Sequence, residues 1–298
     1  MAAPGTVRIG ISGWRYPPWR GVFYPPKLPQ KRELAYAANI FRSIENNGTF
    51  YSLQRPEYFE AWAAETPDDF VFSVKGPRFI THIKRLKDVK APLANFLASG
   101  VLRLGPKFGP ILWQFPPNFR FDLPKLESFL KMLPHDTESA AALARRHDKR
   151  LSGRSALKTD ARLPLRHAME IRHVSFVTPA FIELLRAYDV ALVCADTVEW
   201  PRLMDVTSDF IYCRLHGSEQ LYASGYDREA LDQWAARVAS WARGEQPADA
   251  KQIIKPGKSQ MQPRDVFIYF DNDAKVRAPF DAQGLMARVS EILRPART

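Results

Sequence analysis

The sequence predicts an α/β protein that folds as a (β/α)8 barrel, the TIM-barrel fold, in a single domain over residues 1–298. Eight apolar, β-branched runs alternate with amphipathic stretches along the chain. Most of these runs are hydrophobic throughout, which is typical of parallel strands that are covered on both faces. The length suits one such barrel, and a hydrophobic fraction of 46% supplies a sizeable core.

The predicted elements follow one another in regular order. The strands are expected at residues 7–12, 41–47, 70–75, 110–115, 167–173, 191–196, 210–217 and 266–272. The helices are expected at residues 31–39, 56–65, 92–99, 124–133, 179–188, 228–243 and 280–293. Several helices carry Pro near their first turn, where the missing N–H costs nothing. A doubly wound open sheet is the alternative, but Gly10 and Gly13 lack the spacing of a phosphate-binding loop and lead into a Pro-rich segment.

A basic insertion interrupts the alternation at residues 135–165, before the fifth strand. We expect a helix at residues 138–148 and then a basic loop. The formal net charge is +11, and between residues 143 and 166 there are eight Lys or Arg against two Asp. A solvated basic surface accounts for this stretch, so nucleic acid is an alternative partner and not the favoured one.

The composition also excludes several classes of protein. No run of about 18 apolar residues could span a membrane, and the first residues do not resemble a signal peptide. Cys194 and Cys213 lie in apolar runs, where packing is their expected role, so we expect a cytoplasmic protein. The sequence contains no Cys-x-x-Cys pair, no P-loop and no Gly-x-Ser-x-Gly elbow.

Polar residues recur at the carboxyl ends of the predicted strands, where TIM barrels carry their active sites. Ionisable groups inside apolar strands are costly unless they are paired or used, so we predict a ligand-binding or catalytic site there. The candidates are Glu45 and Asn47 in the second strand, Lys75 in the third, Gln114 in the fourth, Glu170 and Arg172 in the fifth, Asp196 in the sixth, Arg214 and His216 in the seventh, and Asp271 and Asn272 in the eighth. The alternative is a layer of salt bridges that joins Glu170 to Arg172, Asp196 to Arg214, and Glu45 to Lys75.

The loop after the first strand, in "GISGWRYPPWRGVFYPP", is unusually rich in rings and prolines. Because it follows the first strand, we expect it on the same face as the charged residues, where Trp14 and its neighbours would wall the pocket and exclude water. Further rim residues are expected at Phe50, Tyr51, Thr81 and His82, and in the segment from Tyr222 to Tyr226. A hydrophobic plug without ligand contacts is the alternative for this loop.

The same segments carry a resemblance to a known family. In order they read "GISGW", "SIENNGTFY", "FVFSVKGP", "ITH", "ILWQFPP", "MEIRHVSF", "CADT", "YCRLHG" and "YFDNDAKVRAP". They resemble the signatures of the bacterial and archaeal "domain of unknown function 72" family, also called YecE-like, from residue 7 to about residue 289. The resemblance implies a TIM barrel and an intracellular protein, but no reaction. Asp271 departs from the family pattern, which usually has Asn there.

The favoured functional interpretation is an enzyme that acts on a small polar substrate, anionic or sugar-like. In one hypothesis it is a divalent-metal isomerase or phosphodiesterase, with Mn²⁺, Mg²⁺ or Zn²⁺ held by carboxylates and an imidazole. The metal ligands would be Glu170, Asp196, His216 and Asp271, although no cofactor is certain. The catalytic set would be Glu45, Lys75, Glu170, Asp196 and His216.

Two other hypotheses remain open. The first is a metal-free hydrolase or lyase in which Glu45 and Glu170 act as acid and base, with Arg172, Arg214 and Lys75 gripping an anionic group. Its variant is a Schiff base at Lys75. The second is a binding module for nucleic acid or for a small molecule. The oligomeric state is left open.

Overall fold

Eight parallel strands close into a barrel in chain order, β1 to β8, in the computed structural model, which describes residues 3–217, 221, 224–257, 261–273 and 275–294. The predicted TIM-barrel fold is therefore confirmed. The strands are β1 (Val7–Ser12), β2 (Ser43–Asn46), β3 (Val71–Lys75), β4 (Phe108–Gln114), β5 (His167–Glu170), β6 (Val190–Asp196), β7 (Phe210–Leu215) and β8 (Asp265–Phe270).

Helices cover the outside of the barrel in the order that the sequence predicts. They are α1 (Glu33–Ile40), α2 (Gly48–Tyr51), α3 (Pro56–Ala64), α4 (Lys90–Ala98), α5 (Leu123–Leu130), α6 (Thr137–Ala144), α7 (Pro179–Ala187), α8 (Arg228–Ala242) and α9 (Ala278–Ile292). Helix α2, a single turn directly after β2, was not predicted from the sequence. The insertion helix α6 is shorter than expected, and Asp136 caps its first turn by accepting a hydrogen bond from the Ser139 amide.

The strand ends differ from the predicted ones mainly where polar residues follow a strand. β5 leaves the ladder after Glu170, and β7 leaves it after Leu215. The polar residues that were assigned to the ends of these strands, Arg172 and His216, therefore begin the βα loops. Such loops form the carboxyl-end face of a barrel, so these side chains still belong to that face.

The barrel interior is layered from apolar to charged. Its lower part is filled by side chains such as Ala168, Val193 and Phe267, which form a buried cluster separate from the outer core. Gly10 allows the closest approach between two strands, because a Cβ atom there would lie 1.8 Å from the Ser43 carbonyl oxygen. Above this layer, Tyr269 hydrogen-bonds Ser43 at 2.6 Å. The charged residues lie above that hydroxyl pair, at the carboxyl ends of the strands.

The ring-rich loop after β1 divides into two parts. Trp19, Phe23 and Tyr24 are buried in the outer core, where the Trp19 and Phe23 rings meet edge to face at 5.6 Å. Trp14 and Tyr16 instead border a surface cleft beside the barrel mouth. The loop is thus a hydrophobic plug over most of its length, while its first residues line the cleft.

Within the part of the chain that the structure describes, no helix has both the length and the apolar character that crossing a membrane would require.

Candidate functional site

Arg214 is the centre of the charged cluster. Its side chain is fully buried on β7, and its guanidinium donates to Glu45 at 2.9 and 3.1 Å, to Glu170 at 2.7 Å and to Asp271 at 2.8 Å. Burial disfavours the charged arginine, but Asp271, Glu45 and Glu170 outweigh it and raise the pKa of Arg214 well above its ordinary value. The guanidinium therefore joins three carboxylates from three strands.

Glu45 is held from several sides. Ser12 and Tyr212 donate hydrogen bonds to its two oxygens, and the Tyr212 contact is 2.6 Å long. Burial and then the Glu45 charge raise the pKa of Tyr212 well above its ordinary value, so this hydroxyl keeps its proton. With Arg214 on the same carboxylate, Glu45 has no free oxygen to serve as an acid or a base.

Both carboxylate oxygens of Glu170 also accept hydrogen bonds. Its Oε1 accepts from Gln114 at 2.9 Å and from Arg172 at 2.7 Å, and its Oε2 accepts from Arg214. Burial alone would raise the pKa of Glu170, but the cations Arg172 and Arg214 hold it well below its usual range. Arg172 also lies over the Trp200 ring at 4.1 Å, which fixes its guanidinium plane. The expected pair of Glu170 and Arg172 is present.

Asp271 and His216 complete the charged layer. Nδ1 of His216 lies 3.1 Å from Oδ2 of Asp271, the oxygen that also accepts from Arg214. Burial opposes ionisation of Asp271, but Arg214 and His216 hold its pKa well below the usual range. Asp271 is thus an ionised carboxylate that bridges an arginine and a histidine.

Lys75 differs from the other cations of the cluster. It is 7% exposed, and its ammonium lies 4.3 Å from the centre of the Phe50 ring. Among the described residues, its Nζ takes part in no hydrogen bond and no ion pair, so the expected pair with Glu45 does not form. Burial and then the nearby Arg214 charge lower the pKa of Lys75 to about 8.

Three candidates from the sequence lie on the outer side of the strands, away from the cluster. Asp196 accepts from Arg202 at 2.7 Å and from the Trp234 indole of α8 at 3.1 Å, so the expected pair with Arg214 does not form. Asn272 donates to Asp281 of α9, and Tyr226 accepts from the Gly217 amide. All three join strands to loops and helices. The remaining rim candidate, Tyr222, lies outside the described residues.

A cleft of about 260 Å³ opens beside the cluster, and neither Lys75 nor the carboxylates line it. Trp14, Tyr16, Asn47 and Tyr51 contribute to its walls. Oδ1 of Asn47 is buried and accepts no hydrogen bond from any described residue. Tyr51 is 69% exposed and offers its ring at the entrance. These three sequence candidates, Trp14, Asn47 and Tyr51, therefore share one recess.

Three titratable neighbours of the site were not among the predicted catalytic or substrate-binding residues. His82 meets the Phe50 ring edge to face at 5.1 Å, and burial together with Lys75 and Arg172 lowers its pKa to about 4. Burial and the Asp271 charge raise the pKa of Asp273 to about 6. Burial also raises the pKa of Tyr16. His82 was noted only as part of the rim, and a loop position gives no signal in strand periodicity.

The expected metal ligands do not fit a divalent ion. Arg214 sits between Glu170 and Asp271, in the place where a cation bridging them would bind, while Asp196 points to the outer layer. Among the described residues, no three His, Cys, Asp or Glu side chains are grouped so as to hold a metal. We therefore derive no catalytic step through a metal.

The basic insertion forms part of the outer surface. Arg145, Arg146, Lys149, Arg150 and Arg154 are all exposed, which agrees with a solvated basic face. Nucleic-acid binding through this face stays a prediction.

The barrel and its charged layer together define a TIM-barrel protein with a polar, arginine-centred site at the carboxyl ends of the strands. The chain belongs to the family described as "Protein of unknown function DUF72", which matches residues 8–297.

Curated relatives match over part of their length. UPF0759 protein YecE of Escherichia coli K12 is 32% identical over 129 residues, which cover 43% of this chain and 44% of YecE. UPF0759 protein YunF of Bacillus subtilis is 29% identical and matches over 38% of this chain and 41% of its own. The matched segments thus span less than half the length of these relatives.

Solved structures are similar over nearly the whole chain. A DUF72 family protein from Thermotoga maritima is 23% identical, has a TM-score of 0.67 and covers 96% of this chain and 99% of its own. One from Enterococcus faecalis is 15% identical, has a TM-score of 0.66 and covers 98% and 97%. At these identities the similarity establishes the fold alone.

Proposed function

We propose that this protein is a metal-free enzyme in which Lys75 forms an imine with a small carbonyl compound, either an anionic one or a sugar. The observation that carries the proposal is the environment of the Lys75 amine. Every carboxylate of the cluster is engaged by Arg214, whereas Lys75 has neither a hydrogen bond nor an ion pair among the described residues. A buried amine whose pKa is lowered by desolvation and by a neighbouring cation is what imine chemistry requires.

The lowered pKa increases the fraction of Lys75 that is unprotonated and can act as a nucleophile. With a pKa of about 8, about a tenth of Lys75 is unprotonated at pH 7. An ordinary lysine, with a pKa of about 10.4, has less than about one part in a thousand unprotonated at that pH. The environment therefore raises the concentration of the reactive amine by more than a hundredfold.

The reaction follows from this amine. Unprotonated Nζ of Lys75 attacks the carbonyl carbon, its two N–H protons pass to the carbonyl oxygen, and the C–O bond breaks to release water and the imine. The imine takes up a proton from solvent and accepts the electron pair of a neighbouring C–H or C–C bond, which releases a proton or a carbonyl fragment. His82, whose pKa of about 4 keeps it neutral at pH 7, borders the same Phe50 ring and would relay a proton from the attacking amine to the departing oxygen. The positive charge of Arg172, whose side chain is 12% exposed, would attract an anionic substituent.

The geometry does not favour the acid–base hydrolase hypothesis. A glycosidase pair needs one carboxyl that protonates the leaving group and another that is free to act as nucleophile or base. Glu45 and Glu170 are both in direct ion pairs with Arg214. These pairs lock both groups as charge partners and leave Lys75 as the group available for chemistry.

Borohydride trapping tests the proposal. The protein is incubated with pyruvate, glyoxylate or glyceraldehyde, reduced with sodium borohydride and mapped by peptide mass spectrometry. We expect a reduced adduct on the peptide that contains Lys75, lost in Lys75→Arg and kept in Lys87→Arg, a matched change at an exposed lysine. An adduct spread evenly over surface lysines, or one that persists unchanged in Lys75→Arg, would refute imine formation at this residue.

A further inference from the structure

A second polar cleft lies at the opposite end of the barrel from the charged cluster. It has a volume of about 270 Å³, and the residues that matter for its chemistry are Arg186, Asp189, Ser208, Asp209, Gln262 and Arg264. These residues precede β6, β7 and β8, so the cleft is on the amino-end face of the strands. We call it the lower cleft. The proposed reaction at Lys75 makes no use of it.

Arg264 is the unusual residue of the lower cleft. It is 4% exposed, and its buried Nη1 has no hydrogen-bond partner within the part of the chain that the structure describes. Among the described residues, its guanidinium forms no ion pair, and burial lowers its pKa with only a partial offset from Asp209. A buried charge without a partner is costly, and proteins retain one mainly where a ligand compensates it.

The other charges in the cleft leave this arginine uncompensated. Asp209 is 3.1 Å from Arg166 and is therefore already paired. Arg186 donates to the carbonyl oxygens of Val206 and Ile254, both at 3.1 Å, which are neutral acceptors that leave its positive charge in place. Two guanidinium groups thus line the cleft with Asp189, an exposed carboxylate that forms no ion pair with any described residue.

We propose that the lower cleft binds a phosphate group, either as inorganic phosphate or as part of a small phosphate ester. Guanidinium groups match the oxygens of phosphate in pairs, and the exposed Gln262 amide supplies a further donor at the rim. The anion compensates the buried charge of Arg264, so its binding stabilises the folded chain. The site is independent of the function proposed for Lys75.

The test is thermal unfolding of the full chain at constant ionic strength, with sodium chloride replaced by sodium phosphate or by glycerol 3-phosphate. We expect a saturable rise in Tm of about 3 °C when the ligand exceeds its Kd tenfold. A response to phosphate alone would identify the free ion as the ligand, and a stronger response to the ester would identify a phosphate ester. No rise with either ligand would overturn the proposal.

Three variants locate the effect. Arg264→Met should lose the response and should be at least as stable as the wild type without phosphate, because an uncompensated buried charge has been removed. Arg145→Met, a control at an exposed arginine of the basic insertion, should keep the full response. Asp189→Asn should tighten binding about twofold to fivefold, since an exposed competing charge is lost while the left-handed backbone at this residue still suits Asn.

The variants still show whether phosphate binds in the lower cleft if Arg264→Met fails to fold. If Arg264→Met is unfolded, the Asp189→Asn variant is decisive, because its change lies on the surface and acts through the cleft alone. A response that is unchanged in Asp189→Asn would show that phosphate binds elsewhere and would overturn the proposal. So would a response that is kept in a folded Arg264→Met variant.

Discussion

Replacing Arg214 by Met should destabilise the protein strongly, and the loss should depend on pH. The side chain is fully buried and donates to Glu45, Glu170 and Asp271. Removing one partner of a buried ion pair costs about 3–5 kcal/mol, because an uncompensated charge stays behind. Arg214→Met leaves three carboxylates together in the barrel, so we expect the free energy of unfolding at pH 7 to fall by at least about 3–5 kcal/mol.

The pH dependence has a definite sign. In the wild type, Arg172 and Arg214 hold the pKa of Glu170 below its unfolded value despite burial, so its stabilising contribution is present above pH 4–5 and is lost as the pH falls. Without Arg214, burial and mutual repulsion raise the pKa values of the remaining carboxylates above their unfolded values. Their destabilising effect is then complete at neutral pH and is relieved as they take up protons. The difference between wild type and variant should therefore narrow between pH 7 and about pH 4.5.

Urea unfolding followed by tryptophan fluorescence, with seven tryptophans as probes, measures this difference at each pH. Arg42→Met is the matched control, because Arg42 pairs with Asp69 on the surface, where both side chains are more than 60% exposed. It should cost less than about 1 kcal/mol at either pH. A loss below about 1 kcal/mol for Arg214→Met at pH 7, or a loss that stays constant with pH, would refute the view that Arg214 neutralises the cluster.

Further predictions concern Lys75 and its surroundings. Acetylation of Lys75 by acetic anhydride should reach half its maximal rate at about pH 8, because burial and Arg214 lower the pKa of this amine. A midpoint near the ordinary value of 10.5 would show that the pKa of Lys75 is not lowered. Asp196→Asn should lower the free energy of unfolding by about 1–3 kcal/mol, because the ion pair with Arg202 is lost. The variant should still be trapped by borohydride at Lys75. Loss of trapping in the folded variant would instead make Asp196 part of the site. Gly76→Ala should cost about 1–3 kcal/mol in urea unfolding, because its Cβ would lie 2.4 Å from the Trp113 ring, and a neutral result would mean that the ring can move aside.

Strand periodicity predicted most of the residues of the site, but it did not show for every strand which face carries the polar side chain. On β7, Arg214 stands between apolar residues, and at the end of β2 Glu45 and Asn47 are two positions apart. In both strands the sequence therefore indicates which face is polar. On β6, "VALVCAD" is apolar on both faces, and the sequence does not indicate which side Asp196 takes. A shift of one residue reverses the face, and the structure places Asp196 against α8.

The sequence by itself determined the barrel, the order of its strands and helices, and the end of the barrel at which polar residues gather, because these follow from local periodicity and from the connection rules of parallel strands. Only the tertiary structure decided which charges meet. Glu45 and Arg214 are 169 residues apart and become partners when the barrel closes. Closure also leaves Lys75 without an ion pair among the described residues, and it buries Arg264 at the opposite end. The pairing of buried charges depends on distances across the fold that no local pattern encodes.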